Sequence, residues 1–263
     1  MKQKTKRIIR VCFVVLLAVA LCAWYFFPVY AAKLFFYKFD AFRKYVEITP
    51  VEITALKPPP KEWTTISIGR LILMVPMSRY RNGRGSNVRS IYSDLCFKSE
   101  MGSLIITDIL RDPFVVPPPD HLTPYQLTGY QWELAICKST PADISIFNSR
   151  SKNMRAFRNQ ICKALGVPLG GTSKVLVVNT GTLKAICNIS EKRKKGYTAK
   201  VHAFNQNETV SVNVWLMDYK EVGLLESDLL RILAGIRMPD HRPSISEVEG
   251  DIKSIVAKFK KKT

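Results

Sequence analysis

Acidic residues and histidine are scarce in this chain. Its 263 residues hold 21 Asp and Glu against 40 Lys and Arg, and three His. His121, His202 and His241 are too scattered for a zinc helix, and no H-E-x-x-H run occurs. No C-x-x-C pair occurs either, which argues against a zinc knuckle. Asp94, Asp108, Asp112 and Asp143 stand alone, so no obvious carboxylate pair is set up for glycoside hydrolysis. A G-x-S-x-G elbow and a D-x-D metal triplet are both missing, which removes the common hydrolase and lumenal glycosyltransferase signatures. Gly166-Val167-Pro168-Leu169-Gly170-Gly171-Thr172-Ser173-Lys174 fails as a phosphate loop: the lysine does not follow the second glycine directly, and the run leads from a helix into a strand. Internal repeats and long low-complexity tracts are absent, which excludes solenoids and disordered scaffolds.

What the sequence does have is one long uncharged run, Val11 to Ala32, behind a basic head of Lys2, Lys4, Lys6, Arg7 and Arg10. As a helix the run is about 33 Å long, enough for a bilayer's hydrocarbon core. The positive head favours a cytoplasmic N-terminus. Val29-Tyr30-Ala31 resembles a signal-peptidase site, so a cleaved leader is the alternative. The run exceeds a usual h-region and ends in Trp24, Tyr25, Phe26, Phe27 and Tyr30, an aromatic belt suited to an uncleaved anchor. The expected division is a cytoplasmic head over 1–10, a transmembrane signal anchor over 11–32, a proline-containing stalk over 33–62, an extracytoplasmic domain over 63–240 and a basic tail helix over 241–263.

The net charge is +19, of which the head carries five. Two clusters stand out: Arg79, Arg81, Arg84 and Arg89 around a Gly-rich turn, and Lys192, Arg193, Lys194 and Lys195 in an expected hairpin loop. Both read as solvated loops or as contacts for anionic lipid or an envelope polymer. Nucleic acid is not expected beyond a membrane. Cys12 and Cys22 fall in the span. Of the exported cysteines, Cys137 and Cys162 form the candidate disulfide, near the end of one expected helix and inside the next, with four buried thiols as the alternative. No cofactor or metal is expected.

Along the exported part, Thr65 to Arg70 and Leu71 to Pro76 read as strands, followed by a hairpin pair over Ser90 to Lys98 and Gly102 to Leu110. Thr123-Pro124 starts a helix whose stripe is Leu127, Tyr130, Leu134 and Cys137. A second helix, Ser149 to Leu165, is expected to bury Met154, Phe157, Ile161 and Leu165. Four strand-like runs from Lys174 to Met217 with short turns predict an antiparallel meander. A third helix over Glu221 to Ile236 precedes the tail helix, whose apolar face is Val248, Ile252, Ile255 and Phe259.

Strands and helices so segregated predict an α+β domain. The early strands ending Leu71-Ile72-Leu73-Met74-Val75-Pro76, the two central helices, the meander and the late helix Leu224 to Leu233 before Met238-Pro239 resemble the Mog1/PsbP-like family in element order over about residues 63–240. The resemblance implies an antiparallel β-sheet flanked by helices, as an α/β/α sandwich, and a binding or assembly role. It carries over no ligand residues. The expectation is a non-enzymatic, single-pass protein of the bacterial inner membrane with a periplasmic binding or assembly domain and a protein partner in the cell envelope. The alternative is an envelope hydrolase assembled from dispersed residues, with His121 and His202 beside Asp or Ser as candidates.

Overall fold

The structure, a computed structural model, describes residues 2–38, 47–81, 87–91, 94–111, 129–166, 174–192, 196–219 and 226–260. The chain divides into two compact units. One comprises Met1–Glu47 and Ser139–Gly166, the other Ile48–Lys138 and Val167–Thr263.

The first unit is built on α1 (Lys2–Lys38), which contains a stretch long and apolar enough to cross a membrane, Cys12–Leu34. Such a helix suits a span or a signal sequence equally. Phe13 through Leu21 are bare, whereas Val29 and Ala32 are buried. Pro28 lies inside the helix and brings no N–H, so the carbonyl of Trp24, four residues earlier, loses its helical donor. Arg150 Nε fills that place, donating to Trp24 O at 2.9 Å.

Arg150 opens α4 (Arg150–Gly166), and here the structure departs from the expected pattern. Met154, Phe157 and Ile161 are only half-buried. The buried stripe is Asn153, Ala156, Gln160 and Lys163, three of them polar. Each polar member holds backbone of the segment before the helix. Asn153 bonds both Ser145 N and Ser145 O, Gln160 donates to Thr140 O, and Lys163 Nζ donates to Ser139 O at 3.0 Å. That segment lies in no sheet, so side chains supply the partners that a neighbouring strand would otherwise give. Periodicity located this helix but chose the wrong face.

The second unit is α+β. Its large sheet has the order β1-β7-β8-β9-β10-β6-β5-β4. The strands are β1 (Val51–Ile53), β4 (Asn87–Ile91), β5 (Asp94–Lys98), β6 (Gly102–Arg111), β7 (Lys174–Asn179), β8 (Leu183–Lys192), β9 (Gly196–Asn205) and β10 (Ser211–Asp218). Every pairing is antiparallel except β1 on β7. The expected meander is therefore present as β7 to β10. The expected stalk is not all spacer, since Val51–Ile53 adds the sheet's first strand.

Alternation along each strand sorts the two faces. Leu176, Ala185, Cys187, Val201, Val214 and Leu104 point into one continuous core, shared with the hairpin β2 (Thr64–Ile68) and β3 (Leu71–Val75). Over it lie α5 (Glu226–Ala234), through Leu229, Ile232 and Leu233, and α6 (Ile245–Lys260), through Val248, Ile252 and Phe259. Phe259 meets Phe97 edge-to-face at 5.4 Å. The expected tail helix thus belongs to the domain core. It also caps the β2–β3 turn, where Gly69 and Arg70 both have positive φ and Asp251 accepts from Gly69 N at 2.7 Å. On the opposite face, α3 (Gly129–Lys138) packs Tyr130, Leu134 and Cys137 over Val175, Ile186 and Phe204. The start expected at Thr123 lies outside the described residues.

Candidate functional site

A cleft of about 420 Å³ opens in the second unit where the chain enters β2, leaves β3 and passes α5. Trp63 N donates to Pro60 O at 3.1 Å, a turn that sets the half-buried indole at the rim. After β3, Pro76 starts the short helix α2 (Met77–Arg81), and Arg79 N donates back to Pro76 O. From α5 come Asp228 and Arg231.

Arg79 is the hub of the cleft wall. Its Nη2 donates to Asp228 Oδ2 at 3.3 Å, and its Nη1 lies 3.6 Å from Asp218 Oδ2 at the end of β10. Its carbonyl accepts from Ser99 Oγ, which in turn accepts from Met101 N, fastening α2 to the β5–β6 turn. The neighbouring Tyr80 is fully packed. Burial, reinforced by the Asp218 carboxylate, pushes its phenol above the ordinary range. Two carboxylates therefore neutralise Arg79 and fix it in place, and it is no free anion contact. The Arg231 side chain makes no hydrogen bond or ion pair among the described residues, so the cleft presents an available guanidinium beside an indole and two prolines. Glu62 adds an exposed carboxylate at the margin.

A second polar group lies under α3. Strand β9 turns His202 and Phe204 to that face, in one row with Val177, Ile186, Asn213 and Thr107. His202 Nδ1 is 2.6 Å from Glu133 Oε1 on α3, and its ring lies 4.1 Å from that of Phe204. Beside them Lys184 pairs with Glu208 at 2.6 Å and stands 5.5 Å from the Tyr130 ring. Burial raises the Tyr130 pKa, with Glu208 and Glu52 adding to it. A histidine oriented by a carboxylate is two-thirds of a catalytic triad. Among the described residues, however, His202 makes no hydrogen bond to a hydroxyl or thiol.

The eight expected anion contacts fare unequally. Arg79 is paired as above, and Arg89 is exposed on β4. Arg81 ends α2 and Lys192 ends β8. Arg84, Arg193, Lys194 and Lys195 lie outside the described residues, as does His121. None of the six cysteines is in a disulfide, so the expected Cys137–Cys162 bridge is not formed in this structure. Sequence reasoning missed Trp63 and Arg231. The one available signal was an aromatic residue three positions after the run Pro58-Pro59-Pro60, which it read as the end of a stalk.

No family model matches the chain, and neither a curated protein nor a solved structure shows significant similarity to it. Its own chemistry is what remains to read.

Proposed function

We propose that this is a single-pass inner-membrane protein whose N-terminal helix anchors a non-enzymatic binding or assembly domain in the periplasm, and that the Trp63–Arg231 cleft is the recognition site. Element order, as in Mog1/PsbP-like folds, supports the same role. The observation that carries the reading is the Arg231 guanidinium, unpaired among the described residues, in an aromatic, proline-walled cleft whose other cation is already neutralised. One available cation and one flat apolar surface suit an anionic group on an envelope partner.

The test has two parts. Reporter fusions at Thr263 establish on which side of the membrane the domain lies. A photocrosslinker at the exposed Ser78, in living cells, then captures what occupies the cleft. A single adduct abolished by Arg231→Glu is the expected result. Adducts indifferent to Arg231 refute the cleft as a recognition site. The His202–Glu133 pair favours a second reading, an envelope hydrolase, and turnover of an envelope substrate lost on His202→Ala would replace the first.

A further inference from the structure

Phe147 is the most exposed large apolar residue described, at 92%, and its neighbour Ile146 is 54% exposed. They sit on a tightly held turn. Asn148 N donates to Ser145 O, Phe147 N to Ser145 Oγ, and Asn148 Nδ2 to Asp143 O at 2.9 Å. A turn so fully bonded presents its apolar tip at a fixed place, without a collapse that would bury it.

That place is beside α1. Arg150 donates to the Trp24 carbonyl that Pro28 leaves open, and its guanidinium carbon lies 3.7 Å from the Trp24 ring centroid. Tyr25 OH donates to Asn148 O at 3.2 Å. The turn is thus tied to α1 at the level of Trp24 and Tyr25. From Arg10 to Trp24 a helix rises only about 21 Å, against about 30 Å of hydrocarbon. A bilayer that α1 crosses therefore reaches the turn. The adjoining helix α4 carries Arg150, Lys152, Arg155 and Arg158 and contains no acidic residue.

From these observations we propose that residues 144–150 form a membrane foot. Ile146 and Phe147 insert into the outer leaflet beside α1, and the basic first turn of α4 contacts anionic lipid headgroups. Apolar tips flanked by basic residues have this interfacial habit, and a desolvated backbone carbonyl in the lipid zone needs the partner that Arg150 supplies. The foot would fix how this first unit stands on the membrane. The inference rests on α1 being a retained anchor.

The test uses the full chain in vesicles of phosphatidylcholine with about one-third phosphatidylglycerol, with radiolabelled phospholipid and a benzoylphenylalanine photoprobe at position 147 or, as a reference, 13. Lipid adducts from both positions are expected. Lys152→Glu should lower the yield at 147 about fivefold and leave that at 13 unchanged. Adducts at 13 with none at 147, or adducts at 147 to protein alone, overturn the foot. Equal yields at 147 with and without Lys152→Glu refute the headgroup contact. Silence at both positions instead refutes the anchor on which the proposal stands.

Discussion

The Arg150–Trp24 contact gives the sharpest energetic prediction. Arg150→Ala removes a charged donor from a carbonyl that has no helical partner, and removes a cation from an indole face. At a site this open the hydrogen bond is worth about 1–1.5 kcal/mol and the cation–π contact about 0.5–1 kcal/mol. The sum is about 2 kcal/mol of lost attachment between α4 and α1, read as about 30-fold faster amide exchange in α4 in detergent micelles. Pro28→Ala restores an N–H that takes over the Trp24 carbonyl. In that background Arg150→Ala should cost only the cation–π part, about fivefold or less in exchange. The double-mutant coupling is then about 1 kcal/mol. Equal acceleration in both backgrounds would show that the arginine does not serve the orphaned carbonyl, and the reasoning would fail.

Three further predictions concern the second unit. A Cβ on Gly102 would lie 2.3 Å from Met217 O, so Gly102→Ala should cost about 3 kcal/mol in urea unfolding by forcing β6 from β10. Asn205, buried at the β9–β10 turn, accepts from Thr209 N and Val210 N and donates to Thr209 Oγ1 and Pro239 O; Asn205→Ala should cost about 2–3 kcal/mol and lower the thermal midpoint, and an unchanged midpoint refutes its bridging role. Burial raises the Cys187 thiol and the Tyr80 phenol above their unfolded values, so each group's stabilising term is whole below its unfolded pKa and is lost as pH rises toward the folded one. Stability should therefore fall by about 1.4 kcal/mol per pH unit from about pH 9, and more steeply above about pH 10. Tyr80→Phe should weaken the second break and leave the part due to Tyr130, and a flat profile would contradict the burial.

Elements built on apolar alternation or apolar stripes were legible in the sequence. The meander β7 to β10 and the inward faces of α5 and α6 follow from spacing, because their residues are buried for the ordinary hydrophobic reason. Strand β1 was not legible. Three residues carry no period, and only the parallel edge of β7 makes a strand of them. Helix α4 shows the deeper failure. Its buried stripe is polar because the backbone before it needed partners, and a hydropathy pattern cannot register a need that arises in another segment.

The Trp24–Arg150 contact extends that failure to function. Pro28 reads as an interruption in an apolar run and Arg150 as one more surface charge, yet each explains the other once the open carbonyl between them is counted. Phe147 inverts the usual rule, since its turn is bonded so that the ring stays out. A core buries what is apolar and pairs what is polar. This unit spends hydrogen bonds to keep an apolar ring exposed and an arginine beside Trp24, and lipid, if α1 is the anchor proposed above, would be the medium in which both placements lower the free energy.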